Sequence, residues 1–393
     1  MNITEVKRVM LRTHTSALAL NERASGLMVQ SAPGVGKTEA AFQYVEQLAI
    51  MLGEPVGIVQ FMLATIQSAD VRGFGLPIKA ADGGQVPDFI FSRPPWAPVK
   101  TNTWVCEPTG NPLAPVKWYE EGEWTGPLPR AGVLFLDEFG QADEDVKKPA
   151  AELIYKGNVG THRLPKGWRV IAATNRVSDR SGVMRELMFI VNRRCLLNVQ
   201  PVLGPWLEWA ALHNVHYMSV SFARLNPGVV FHEDVPEGTD PFCTPRSLVM
   251  MDRDLRAIRS DTERAADKMP LDEVSREVCQ GWVGAATMGQ YFTHLKYSEE
   301  LPDPADIATD YRTAKVPAKQ DAQMVTAFML SHHVKPDSSE SFMRYIGRLH
   351  KEMQHLAVRT ITGNPVRAAF FTVTDAYRQW LMANKDTFIA SRS

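Results

Sequence analysis

The chain has 393 residues, of which 45% are hydrophobic and 22% are charged. This is the composition of a globular protein, and the length allows two or three domains of about 100–200 residues each. The 43 basic and 44 acidic residues leave a formal net charge of −1, so no global electrostatic field attracts the chain to nucleic acid or to an anionic membrane. Any basic surface must therefore be local.

Cysteine spacing and hydropathy exclude further classes of protein. The four cysteines are far apart in the sequence and form no C-x-x-C pair, which argues against a disulfide framework and against a zinc ribbon. No segment approaches about 18 uncharged apolar residues, and the first residues mix charges into a helical apolar pattern, unlike a signal peptide. We therefore expect a cytoplasmic protein without a membrane segment.

Apolar runs alternate with helical periodicity in the first half of the chain. Helices are predicted over Thr4–Leu20, Thr38–Leu52 and Asp143–Lys156, and strands over Gly26–Gln30, Val56–Met62, Gly132–Leu136, Arg169–Thr174 and Arg194–Val199. Strands that alternate with helices form a mostly parallel sheet, because a crossover connection brings the chain back to the same edge. The predicted fold class is therefore α/β, a parallel sheet flanked by helices.

After Pro201 the pattern becomes mainly helical, with helical periodicity over 245–259, 271–291, 320–333 and 339–357. Prolines at 302, 304 and 317 mark a linker between helical segments. We predict an α/β core over residues 1–203, with insertions between about 63 and 130. A helical lid over 204–300 and a helical C-terminal extension over 301–393 are expected to follow.

A glycine-rich segment, PGVGKT, lies between a predicted strand and a predicted helix. In that context successive backbone N–H groups wrap phosphates at the positive end of the helix. The predicted binding residues are Pro33, Gly34, Val35, Gly36, Lys37 and Thr38. The glycines allow close approach, Lys37 supplies a cation to the phosphate oxygens, and Thr38 places its hydroxyl on Mg²⁺. A full phosphate-loop pattern has Gly where Ser31 stands, and a chance helix start without a ligand is the competing interpretation.

Two adjacent acids, Asp137 and Glu138, end a predicted strand at the edge where open parallel sheets bind ligands. Asp137 is suited to the Mg²⁺ shell, and Glu138 to orienting and polarising an attacking water. Asn175 ends the next predicted strand, and its amide can donate to a phosphate or to the same water. Taken singly, the acids could cap a helix and Asn175 could form a turn. The order of the three signals along the chain favours a nucleotide site.

These motifs resemble those of MoxR-type, or dynein-related, AAA+ ATPases over roughly residues 27–255. Beyond the phosphate loop and the acid pair, the resemblance rests on Asp70–Pro77 (DVRGFGLP), Ala172–Arg176 (AATNR), Val191–Arg194 (VNRR) and Thr244–Leu248 (TPRSL). It implies the P-loop NTPase form of the α/β sheet, with ATP and Mg²⁺ as ligands. It also implies ATP hydrolysis in a ring oligomer, for which a hexamer is expected.

The resemblance further assigns roles to arginines. In such enzymes the arginine of an Asn-Arg-Phe-like segment reaches the neighbouring subunit as an arginine finger, which here falls on Arg193, with Arg194 at a position that is usually apolar. The resemblance therefore does not decide which of these two residues is the arginine finger. For each of them, an arginine that lies on the surface or in an ion pair is the alternative interpretation. Thr244-Pro-Arg246 is expected to begin a helix, and Arg246 corresponds to the family's second sensor, which projects from the lid over the nucleotide.

About 70 residues separate the second and third predicted strands, far more than an ordinary connection. The segment is rich in Phe, Trp and Tyr with glutamates among them, which argues against a platform for single-stranded nucleic acid. A protein-contacting or subunit-contacting insertion and an added packing layer both remain open. The resemblance implies a second inserted hairpin, which falls on residues 157–167 and has basic residues at its tip.

The sequence as a whole favours a chain that uses ATP hydrolysis to remodel or activate a partner protein. The resemblance implies a client that carries a von Willebrand factor A-like domain. A DNA-handling motor or loader is a second hypothesis, disfavoured by the near-neutral charge and the lack of a recognisable DNA-binding module. A nucleotide-gated scaffold with little turnover is a third, which Ser31 and the Arg193–Arg194 pair keep open.

Overall fold

A computed structural model describes residues 1–79, 85–179, 194–232, 234–236 and 238–384 of the protein. This part of the chain forms two compact units that divide after Pro201, and a short segment at Asp234 and Val235 belongs with the first. The first unit contains a mostly parallel sheet with helices, and the second is helical. The predicted α/β class is therefore confirmed.

The first unit is built on a seven-stranded sheet. The strands along the chain are β1 (Leu27–Ser31), β2 (Val56–Met62), β3 (Gly75–Lys79), β4 (Gln85–Phe91), β5 (Trp104–Asn111), β6 (Ala114–Tyr119), β7 (Ala131–Asp137), β8 (Asn158–Val159), β9 (His162–Arg163), β10 (Trp168–Asn175) and β11 (Cys195–Asn198). The order across the main sheet is β11-β1-β10-β7-β2-β5-β6. Pairing is parallel from β11 to β2 and antiparallel from there to β6. Two hairpins, β3–β4 and β8–β9, stand apart from this sheet.

The helices in the described part of this unit are α1 (Ile3–Ala19), α2 (Lys37–Leu52), α3 (Ser68–Arg72) and α4 (Glu144–Lys156). The apolar runs that predicted strands β7 and β10 lie in the middle of the sheet, where covered faces require apolar residues on both sides. The helix predicted from Thr38 begins one residue earlier and ends at Gly53, whose φ of 66° closes it in the left-handed conformation. These predicted elements are confirmed to within one or two residues.

Part of the aromatic insertion forms a packing layer. Strands β5 and β6 extend the sheet, and the rings of Trp104 and Trp118 pack on Phe42 of α2 at centroid distances of 6.1 and 5.3 Å. Trp96 is fully buried, and its Nε1 donates to the carbonyl oxygen of Val71 at 2.7 Å. The sequence did not predict this antiparallel extension of the sheet.

The β3–β4 hairpin of the same insertion is different, because several of its apolar side chains are exposed. Phe89 and Phe91 are 60% and 47% exposed, and Phe74, Leu76 and Ile90 beside them are also exposed. The insertion therefore contains both a buried layer and an exposed apolar hairpin.

The hairpin predicted over 157–167 contains β8 and β9, and the Arg23 guanidinium holds its base by donating to the carbonyl oxygens of Gly157 and Leu164.

The second unit is built from helices. They run over Leu203–Leu212, Tyr217–Leu225, Pro227–Val230, Pro245–Ala257, Asp261–Ala265, Glu273–Val283, Ala285–Leu295, Pro304–Thr309, Gln320–His333, Ser339–Ile346, Lys351–Thr362, Pro365–Phe371 and Asp375–Ala383. Helices before and after residue 300 contribute to one hydrophobic core. The division into a lid and an extension at that residue stays a prediction. Within the described ranges, no helix is long and apolar enough to cross a membrane.

A buried polar network joins α1 to the sheet. His14 is 1% exposed and lies between the Tyr44 hydroxyl and the carbonyl oxygen of Gly167, with Nε2 3.0 Å from that oxygen. A carbonyl can only accept, so Nε2 carries the hydrogen and Nδ1 accepts from Tyr44. The pKa of His14 is lowered to about 4, mainly by burial. The bond to Gly167 opposes this shift in part, and the nearby positive charge of Arg169 adds to it. The fold therefore requires the neutral ring.

Acid should destabilise the first unit through His14. The pKa falls from 6.5 in the unfolded chain to about 4 in the folded one, so the unfolded chain takes up the proton first and stability is lost as pH drops through this interval. The loss amounts to at most about 3 kcal/mol. Denaturant titrations between about pH 4 and 7 should show a shallower decline for His14→Gln than for the wild type. Equal declines for wild type and His14→Gln would contradict this account.

Candidate nucleotide-binding site

The predicted site residues of the first unit lie at the ends of adjacent parallel strands. Ser31 at the end of β1 pairs in register with Asn175 at the end of β10. Strand β7, which ends in Asp137, is the next neighbour of β10. Parallel strands end at the same edge of the sheet, so the loop after β1, the acids after β7 and the amide of β10 meet there.

The loop between β1 and α2 has the backbone conformation that its glycines allow. Gly34 and Gly36 have φ values of 74° and 92°, in the left-handed region that other residues avoid. A Cβ added at Gly36 would meet nothing nearer than 4.0 Å, so the requirement there is conformational rather than steric. Gly36 caps the N-terminus of α2, whose free N–H groups and dipole favour an anion. Pro33 and Val35 are partly buried, and Val35 packs against the core.

The Lys37 ammonium lies at the junction of the loop and the sheet. Its Nζ donates to Oδ1 of Asn175 at 2.7 Å and to Oγ of Ser31 at 3.0 Å, with the carbonyl oxygens of Ser31 and Ala32 at 3.4 and 3.2 Å. Ser31 is fully buried, and its hydroxyl donates to the Ala32 carbonyl while it accepts from Lys37. Ser31, the residue that departs from the phosphate-loop pattern, thus accepts a hydrogen bond from Lys37. The sequence did not predict this contact.

Thr38 and Asp137 form the second junction. The Thr38 hydroxyl donates to Oδ2 of Asp137 at 2.9 Å, and the other carboxylate oxygen accepts the Glu138 N–H at 2.9 Å. A hydroxyl and a carboxylate are hard oxygen donors, the type that Mg²⁺ binds together with phosphate oxygens. No group of three or more His, Cys, Asp or Glu able to hold a metal occurs among the residues described. Together with phosphate oxygens, the Thr38 hydroxyl and the Asp137 carboxylate fit the shell of a hard cation.

Glu138 follows the strand in an unusual conformation. Its φ is 55°, positive for a residue with a side chain, and such strain persists only where the surroundings enforce it. A short 3₁₀ turn, Phe139–Gln141, begins directly after it. The side chain is partly buried beside Asp137. The backbone therefore changes direction at Glu138, directly after the strand.

The predicted arginines fall in different places. Arg193 lies outside the described residues, and Arg194 is partly buried just before β11. Arg246 is the second residue of the helix Pro245–Ala257, which begins at Thr244 with a capping box to Ser247, so the predicted helix start is confirmed. Its side chain is exposed within the second unit. The roles assigned to these three arginines stay predictions.

Comparisons with known proteins give structural similarity at low identity. The RuvB Holliday junction branch migration motor of Thermotoga maritima is 16% identical, with 70% of this chain and 72% of that chain covered and a TM-score of 0.34. NtrX from Brucella abortus in complex with ADP is 15% identical, with 96% and 68% covered and a TM-score of 0.30. Similarity at this level assigns no ligand or activity to this chain. No protein-family model and no curated protein matches it.

The two glycines that bound α2 provide a matched test of the loop. Gly36→Ala and Gly53→Ala each place a Cβ at positive φ with nothing closer than 4.0 Å, so each should lower the unfolding free energy by about 1–2 kcal/mol. Only Gly36→Ala should also weaken binding of ATP with Mg²⁺, by about tenfold, a change of about 1.4 kcal/mol. Titration with a fluorescent ATP analogue measures the difference. Equal affinities for the two variants would show that the loop does not bind phosphate.

Proposed function

We propose that this chain is an ATPase that binds ATP with Mg²⁺ and hydrolyses it to remodel or activate a partner protein, working as a ring oligomer. The observation that carries the proposal is the pair of contacts at the strand ends. Lys37 of the loop reaches Asn175 of β10 at 2.7 Å, and Thr38 reaches Asp137 of β7 at 2.9 Å. Three signals that are far apart in sequence thus form one polar cluster beside the N-terminus of α2.

Each member of the cluster has a function that its chemistry supports. The loop N–H groups and the Lys37 ammonium hold the β- and γ-phosphate oxygens, and the ammonium exchanges contacts with the loop for contacts with phosphate. Thr38 and Asp137 would hold Mg²⁺, which would supply positive charge beside those oxygens. Because these groups are already in position, little reorganisation is required when charge develops.

Glu138 and Asn175 act on the attacking water. The carboxylate accepts a proton and orients the water toward the γ-phosphate, while the amide donates to the phosphate or to the water. Asn175 Oδ1 accepts from Lys37, which leaves its NH₂ group as the donor. The amide therefore links the phosphate-binding lysine to the water-binding end of the site.

Ring assembly would complete the site. A guanidinium from a neighbouring subunit, Arg193 or Arg194, stabilises charge on the transferring phosphoryl group only when subunits are together. Arg246 would make turnover sensitive to the position of the lid, since a contact made in one nucleotide state and not in the other couples hydrolysis to movement. The resemblance to MoxR-type ATPases supports a protein client with a von Willebrand factor A-like domain, in the cytoplasm.

Glu138→Gln should separate binding from hydrolysis. Loss of a general base lowers kcat by about 10²–10⁴-fold, whereas ATP affinity should stay within about twofold, a difference of only ~0.4 kcal/mol. Glu144→Gln, an exposed acid in the first turn of α4, is the matched control and should behave as wild type. Phosphate release and equilibrium ATP binding measure the two quantities. A wild type that binds ATP but turns over no faster than Glu138→Gln would favour the scaffold hypothesis, and one that does not bind ATP would refute the proposal.

Turnover per chain should rise with protein concentration as rings form, with the size of the assembly followed by light scattering.

One of the two variants Arg193→Ala and Arg194→Ala should bind ATP and assemble yet lose turnover. Mixing that variant with Lys37→Ala should restore part of the activity, because a Lys37→Ala subunit still offers its arginine to an intact neighbouring site. Turnover that is independent of concentration would contradict a ring. Stimulation by DNA with a steep salt dependence would instead favour a DNA-handling motor.

A further inference from the structure

Lys147 is a buried lysine close to the candidate site. It lies in α4 and is 2% exposed, and its Nζ donates to the carbonyl oxygen of Gly140 at 2.7 Å. The next residue, Lys148, is 46% exposed and pairs at 3.5 Å with Asp145 on the surface. Burying an ammonium group costs considerable free energy unless hydrogen bonds compensate. The chain thus buries one of two adjacent lysines and holds it against a carbonyl two residues beyond Glu138.

The carbonyl that Lys147 contacts belongs to the turn that orients Glu138. This turn is held at its start by the bond from the Glu138 N–H to Asp137. It is closed by the bond from the Gln141 N–H to the Glu138 carbonyl at 3.1 Å. The Lys147 ammonium fixes the middle of the turn through Gly140. These contacts oppose the tendency of Glu138 to leave its positive φ, which an unsupported L-residue would do.

Helix α4 makes this contact rigid. Its residues Val146, Ala150 and Leu153 are buried in the core on one side of the sheet, and Phe139 of the turn belongs to the same cluster. The Lys147 backbone therefore cannot move toward or away from the turn without disturbing that core. The lysine side chain transmits the position of α4 to the backbone that carries Glu138.

We propose that Lys147 is a positioning residue for Glu138: it stabilises the strained turn that aims the carboxylate at the attacking water. This role rests on the ATPase function proposed above and concerns turnover rather than nucleotide binding. The bond from Lys147 runs to Gly140, in the turn that follows Glu138 and outside both the phosphate loop and the Thr38–Asp137 pair. A shift of the carboxylate by a fraction of an ångström is sufficient to lower the rate of the chemical step.

Lys147→Met tests the role, because methionine keeps the apolar stem and removes the donor. We expect kcat to fall about tenfold or more while the ATP dissociation constant stays within about twofold. Lys148→Met is the matched control and should leave both quantities unchanged. A double-mutant cycle with Glu138→Gln adds a readout that a merely structural role would not give: in that background Lys147→Met should cause no further loss of single-turnover rate, since the carboxylate it positions is absent.

Three results would overturn the role: undiminished kcat in Lys147→Met, a parallel loss of ATP affinity and melting temperature, or an equal loss of rate in the Glu138→Gln background. If Lys147→Met does not fold, Lys147→Gln replaces it, because its amide ends short of the ammonium position. Reduced kcat with an intact melting curve then supports the role, and full kcat overturns it. A wild type and a Lys148→Met that both lack turnover would instead refute the proposed ATPase function.

Discussion

The candidate site depends on the parallel pairing of three neighbouring strands. Parallel pairing makes β1, β10 and β7 end at one edge of the sheet, with Ser31 in register with Asn175. Without that register, the loop lysine could not reach the amide and Thr38 could not reach Asp137. The apolar residues that bury both faces of these strands therefore fix the positions of the polar groups at the strand ends.

Backbone hydrogen bonds control the charged groups around this edge. Asp137 accepts a main-chain N–H and Lys147 binds a main-chain carbonyl. Lys37 binds two carbonyl oxygens of the loop in addition to the side chains of Asn175 and Ser31. Main-chain partners move less than side chains, so these charges are oriented before a ligand arrives. Such preorganisation lowers the cost of stabilising new charge. The same dependence on main chain explains why Glu138 can hold a strained conformation.

The insertion between β2 and β7 combines two physical solutions for aromatic residues. Trp96 and the tryptophans of β5 and β6 fill space beside α2 and α3 and enlarge the core. The β3–β4 hairpin instead leaves Phe89 and Phe91 in water. Both halves of the insertion contain aromatic residues, so composition alone could not predict which half is buried and which is exposed.

The sequence by itself determined the α/β class, the main strands and the site motifs, because hydrophobic period and glycine or carboxylate position are local signals. Only the tertiary structure decided which residues meet. It made Ser31, a departure from the motif, a partner of Lys37, and it buried Lys147 while leaving Lys148 in water. Two adjacent lysines look alike in sequence. They differ because a helix presents neighbouring residues in directions about 100° apart, and the packing of α4 chooses which direction points inward.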